Sequence, residues 1–258
     1  MRNPFAGYGT TVRGERLVGR ESELTLIGAR LADGCGSVSV VGLPRVGKTS
    51  LVTECLRRIR EDQPDRAVAR LNAAAVPNGS VLLGAMLDET VLSVLTHRPE
   101  VEAELADIIA LPVSSSYESY RRARRGFTRL RRLGIESVVA IDEFDAVRTY
   151  EGAGQTIQQL REILDERWRT GVSAVLISRR SLGAIEEQVA DVSTLHGVCE
   201  HHHLRPLDEE GVAAIRRRAG NLLSDAGTPQ DVWELTGGHP YLAEMVLCHA
   251  VDRGSVEA

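Results

Sequence analysis

Lysine is nearly missing from this chain. Among 31 basic residues one is lysine, Lys48, and all the others are arginine. Aromatic residues are scarce too, at 4%. A core must therefore be packed from Leu, Val, Ile and Ala. The 43% hydrophobic content in 258 residues suffices for one α/β domain and a smaller one. No apolar run approaches the roughly 20 residues that a bilayer needs, and residues 1–20 hold no apolar signal region. That argues against a membrane or exported protein and for a cytoplasmic one. The four cysteines, Cys35, Cys55, Cys199 and Cys248, show no C-x-x-C spacing, so reduced thiols are expected rather than a disulfide framework. Excess positive charge is absent: the formal net charge is −5 and the pI near 5.9, against a general nucleic-acid binder. Between Ser181 and Leu204 there is no Arg or Lys at all.

The lone lysine stands in Gly42-Leu43-Pro44-Arg45-Val46-Gly47-Lys48-Thr49, which fits G-x-x-x-x-G-K-S/T, the phosphate-binding loop. The apolar run 38–41 before it reads as a buried strand. Apolar residues at 51, 52, 55, 56 and 59 after it have helical spacing. Backbone N–H groups of such a loop surround phosphates, helped by the positive end of the helix. Gly42 and Gly47 allow the backbone to approach closely. Lys48 is expected to reach the β- and γ-phosphates, and the Thr49 hydroxyl to hold Mg²⁺. A compact ammonium suits this contact better than a planar guanidinium. Gly42, Pro44, Arg45, Val46, Gly47, Lys48, Thr49 and Ser50 are thus candidate nucleotide-binding residues.

A second motif is the run 137–141 ending in Asp142-Glu143, the pattern of a buried parallel strand whose C-terminal end meets the ligand. It looks like a Walker B strand. There Asp142 holds Mg²⁺, mostly through water, and Glu143 polarises the attacking water as general base. Asp145 reads as a helix cap. Further strands are expected at 66–74 and 173–178. Helices are expected at about 21–32, 80–95, 99–109, 117–133, 155–169, 207–218, 230–235 and 240–251. Pro112 and serines 114–116 interrupt the chain. Residues 1–16, rich in Gly and Thr, read as a flexible arm. On one face of the helix 117–133 lie Tyr120, Ala123, Phe127 and Leu130, while arginines 121, 122, 124, 125, 129, 131 and 132 crowd the rest. This is either a solvated face or a docking surface for nucleic acid, a partner or a neighbouring subunit's phosphates. Cys199, His201 and His203 alternate along a strand. Their spacing of about 7 Å per same-face pair strains a zinc site, so a polar edge strand is the better reading.

Taken together, residues 17 to about 250 resemble the nucleotide-binding module of a STAND-type P-loop NTPase. The segment Leu17-Val18-Gly19-Arg20-Glu21-Ser22-Glu23-Leu24 is similar to the V-G-R stretch that packs on adenine and ribose in STAND and AAA+ ATPases. Ser178-Arg179 resembles the sensor strand whose arginine faces the γ-phosphate, with Arg180 as alternative. Thr236-Gly237-Gly238-His239-Pro240-Tyr241-Leu242 resembles the GxP motif of a lid, in which the proline lies near the adenine. The resemblance implies a parallel α/β core at 17–207 and a helical lid at 208–258. It implies binding of ATP or ADP with Mg²⁺, and catalytic roles for Lys48, Asp142, Glu143 and Arg179. Val18, Gly19, Arg20, Pro240 and Tyr241 join the nucleotide set. It further implies a nucleotide-controlled switch in signalling or defence, in a homo-oligomer or with a partner effector, and no membrane. The gap in basic residues after 180 removes the usual place of a trans-acting arginine finger and implies slow hydrolysis. Ending at Ala258, the chain reads as a shortened or minimal member. The alternative is an AAA+ ATPase of the origin-recognition or transposition type acting on DNA, favoured by the basic helix. A metabolic kinase fits the D-E pair and lid poorly.

Overall fold

The computed structural model describes residues 3–32, 36–111, 113, 115–189, 195–223 and 228–253. Cys35, Pro112, Ser114 and residues 224–227, between the helices expected at 207–218 and 230–235, lie outside them. The elements in order are α1 (Glu21–Ala32), β1 (Ser37–Val41), α2 (Lys48–Asp62), β2 (Ala67–Asn72), α3 (Gly79–His97), α4 (Glu102–Ile109), α5 (Ser116–Arg132) and β3 (Ser137–Asp142). There follow α6 (Ala153–Asp165), α7 (Arg167–Thr170), β4 (Val172–Ser178), α8 (Leu182–Glu186), β5 (Cys199–His203), α9 (Glu209–Arg217), α10 (Pro229–Thr236) and α11 (Pro240–Arg253). The helix expected at 155–169 is two. Thr170 turns its hydroxyl back onto the Ile163 carbonyl, and Gly171, at φ +66°, ends α7 before β4.

Packing divides the chain into two compact units, one of residues 26–41 and 55–203, the other of 1–25, 42–54 and 204–258. The first holds a five-stranded parallel sheet in the order β2-β3-β4-β1-β5. Every residue of β1, β3 and β4 is buried, as their apolar runs require in a sheet covered on both faces. Val38 stands opposite Val175, and Val139 opposite Ala174. Phe127 and Leu130 of α5, with Ile157 and Leu160 of α6, pack into this core. Because the strands are parallel, Val41, Asp142 and Ser178 all leave the sheet at the same edge, where ligands meet open α/β sheets. The chain passes from Val41 directly into the glycine loop.

β5 is the outer strand beside β1, as expected. Among the described residues no group of three or more His, Cys, Asp or Glu is placed to hold a metal ion. Burial pushes the Cys199 thiol up to about 12, helped by Glu186. His201 stacks on His196, with ring centroids 4.1 Å apart.

The second unit corrects the expectation of a flexible arm. Phe5 is fully buried in a core with Val212, Ile215, Val232, Leu247 and other residues of α9, α10 and α11. Asn3 donates its amide to the Cys248 carbonyl at 2.9 Å and to Asp252 at 2.8 Å. Val12 N donates to Ser50 Oγ, and Gly14 N to Glu54. Small polar residues gave no apolar period by which to foresee this; Phe5, with Tyr8 packed against the same cluster, supplies the apolar contact. Asp208 caps α9 through Gly211 N, and a Thr228–Asp231 capping box starts α10.

Candidate nucleotide site

The second unit carries a cavity of about 260 Å³. Its walls include Arg45 to Ser50 of the glycine loop, Val18 and Arg20 of the V-G-R stretch, and Pro240 and Tyr241 at the start of α11. Three of the sequence motifs, spread over 200 residues, thus line one hollow. Gly19, Gly42 and Pro44 do not line it. A Cβ on Gly42 would lie 2.7 Å from the Leu204 carbonyl oxygen, so only glycine lets the loop pass. Gly237 and Gly238 both have positive φ, and a Cβ on Gly238 would meet the Leu207 carbonyl at 1.9 Å. That double turn ends α10 and lets Pro240 begin α11 at the cavity. Between them His239 Nε2 lies 3.0 Å from the Pro44 carbonyl; a carbonyl only accepts, so the ring nitrogen donates.

Lys48 Nζ donates to the carbonyls of Gly42 (2.7 Å) and Leu43 (2.8 Å), which hold the ammonium over its own loop. Arg45, at φ +60°, places its guanidinium 4.4 Å from the Tyr241 ring centre, a cation–π contact. Arg20 lines the cavity and also ties its walls together. It is 4% exposed, and its guanidinium spans the Val46 carbonyl (3.2 Å), the Arg205 carbonyl (2.8 Å) and Glu23 (2.9 Å). Burial lowers its pKa, and the bond to Glu23 offsets part of that. It pins the glycine loop to the segment before α9. Sequence reasoning missed the backbone stretch Gly9 to Val12, together with Arg16, Leu207 and Glu244, which also line the cavity. No local pattern marks them; they arrive by tertiary packing.

Asp142, Glu143 and Arg179 belong to the sheet unit. Asp142, 7% exposed, accepts from Arg70 Nη2 at 2.8 Å and from Glu143 N at 2.9 Å. Glu143 follows at φ +50°. Among the described residues it and Arg45 are the two non-glycine residues with positive φ. Such conformations cost about 1–3 kcal/mol and gather at functional sites. Both fall inside the two strongest motifs. Asp145 does not cap a helix: its carboxylate accepts from Arg179 N (2.7 Å) and Arg180 N (3.2 Å), fastening the end of β4. The Arg180 guanidinium lies 3.8 Å from the same carboxylate. Arg179 is exposed, and its guanidinium, unlike its backbone N, has no carboxylate partner among the described residues.

A family described as "ATPase domain predominantly from Archaea" matches residues 17–246. The chain belongs to that family. It is an ATPase domain of the P-loop kind, and its α/β fold is that of P-loop NTPase structures. The ORC1 protein of Aeropyrum pernix, solved in complex with DNA, is 18% identical, with a TM-score of 0.60 over 97% of this chain and 63% of that one. The Walker-type ATPase of Pyrococcus abyssi is 16% identical, with a TM-score of 0.63 over 98% and 73%. The Aeropyrum pernix ORC2 protein, in ADPNP–ADP complexes, is 16% identical, with a TM-score of 0.60 over 99% and 68%. At these identities the likeness is one of fold. The chain thus spans under two thirds of the ORC1 chain's length. No curated protein matches. The STAND-type membership expected above is not carried by these matches. Among the described residues no helix is long and apolar enough to cross a membrane.

Proposed function

We propose that this domain binds and hydrolyses ATP as an AAA+ ATPase of the origin-recognition type and acts on DNA. The cavity that gathers the glycine loop, the V-G-R stretch and Pro240-Tyr241 supports the nucleotide half of this reading. The fold shared with ORC proteins, one of them solved with DNA, supports the other half over the switch reading. The placement of Pro240 and Tyr241 favours a second reading, the STAND-like switch, in which a GxP lid reports the nucleotide.

In the proposed mechanism the loop amides and Lys48 bind the phosphates. Thr49 and Asp142 offer hard oxygen donors, which suit Mg²⁺, and are the residues that would hold it. When bound, the ion neutralises charge on the phosphate oxygens. Glu143 takes a proton from the attacking water. Arg179, whose guanidinium has no carboxylate partner among the described residues, contacts the γ-phosphate, whereas the Arg180 guanidinium lies beside Asp145. Arg179→Ala is accordingly expected to weaken ATP severalfold more than ADP in equilibrium titrations. Equal losses for both nucleotides would discard this role.

The DNA-acting reading is tested by fluorescence anisotropy of labelled duplex DNA with the nucleotide-loaded chain, between about 50 and 200 mM salt. Binding that falls steeply with salt and differs between ATP-analogue and ADP forms is expected. No binding at the lowest salt with either nucleotide would leave the switch reading in its place.

A further inference from the structure

We propose that a groove along α5 binds the phosphate backbone of duplex DNA; this deepens the DNA-acting reading above and rests on it. The groove, about 700 Å³ in volume, lies within the sheet unit and is walled by α4, α5 and α7. Arg121, Arg124, Arg125, Arg129, Arg132 and Arg169 line it, against a single lining carboxylate, Asp107.

The fold sorts these arginines by use. Arg122 of α5 is buried; it pairs with Asp88 and donates to the Ile108 carbonyl. Arg124 forks onto Glu166, Arg131 pairs with Glu136, and Arg129 Nε donates to the Glu104 carbonyl. Those four hold the fold. Arg121, Arg125 and Arg132 remain exposed, with no carboxylate partner among the described residues; Arg121 lies 5.6 Å from the Tyr117 ring centre.

A merely solvated helix face mixes charge signs. From Ser119 to Leu133 this one has no Asp or Glu, in a chain whose net charge is −5. Like charges at i,i+4, as at 121 and 125, destabilise a helix, so the row works against folding unless an anion meets it. Positions 121, 125 and 132 fall within about 40° of one another around the helix and span about 16 Å along it. Phosphates of one duplex strand repeat every ~3.4 Å of axis, so the row matches four or five of them. Guanidinium forks suit phosphate oxygens. Thr128, on the same face, adds a neutral donor.

The test compares wild type with Arg125→Gln/Arg132→Gln, and with Arg217→Gln/Arg253→Gln as a control of equal charge change outside the groove. Each is titrated with labelled duplex DNA across a salt series. The groove variant is expected to lose affinity at low salt, and its log K against log salt slope should be shallower by about 1.8. Its nucleotide binding should be unchanged, showing an intact fold. The control should keep the wild-type slope. A groove variant that binds DNA as wild type does overturns the groove alone. Wild type that binds no DNA overturns the groove and the DNA-acting reading together. Displacement of DNA by poly-glutamate at equal charge concentration would make this an acidic-protein surface and overturn the proposal.

Discussion

Replacing Lys48 by alanine is expected to abolish tight ATP binding. The ammonium is already directed by two carbonyls of its own loop, Gly42 and Leu43, at 2.7 and 2.8 Å. It is the single lysine of the chain, in the one place where a phosphate loop demands it. Each charge-assisted hydrogen bond is worth roughly 1.5–3 kcal/mol, so losing contacts to two phosphates weakens binding by about 100-fold or more. Lys48→Arg should not rescue it, because a planar guanidinium does not fit where a point charge does. Titration with a fluorescent nucleotide reads the loss, and an unchanged melting temperature without nucleotide shows that the fold survives. Affinity within a few-fold of wild type would remove Lys48 from the site.

Glu143→Gln should leave nucleotide binding nearly intact and slow hydrolysis by about two to four orders of magnitude, the usual worth of a general base. The change keeps shape and size, so the left-handed backbone at φ +50° is no more strained than before. Only the proton acceptor is lost. Asp142→Ala should act otherwise. It removes a carboxylate that is bonded to Arg70 and to the Glu143 amide, and the Mg²⁺ dependence of binding should disappear with it. Phosphate release and nucleotide titration with and without Mg²⁺ separate the two variants. If both lose the same property, the proposed division between base and metal ligand fails.

The variants at Lys48, Glu143 and Asp142 rest on motifs that were legible in the sequence. The glycine loop, the strand that ends in Asp142-Glu143 and the Gly-Gly-His-Pro turn are local patterns. Their meaning depends on residues within about ten positions of one another, on backbone freedom at glycine and on apolar runs that only a doubly covered sheet can bury. The same holds for the helices, whose apolar faces repeat along the chain. The STAND assignment went further than local patterns allow. A sensor arginine and a GxP turn are short, and they fit more than one branch of P-loop ATPases.

Local pattern therefore sufficed for the phosphate loop, the parallel α/β core and the order of the elements. Packing settled what each polar side chain meets. Asn3 bonds to a residue 245 positions away, and so turns an expected arm into part of a core. Asp145 fastens the end of β4 instead of capping a helix. Arg20 is spent on the Val46 and Arg205 carbonyls. Of the arginines on α5, some are paired and three are left facing outward. Period and composition report which face of an element is buried. They carry no information about which distant donor or acceptor will lie within hydrogen-bonding reach, because that distance is set only when the elements pack.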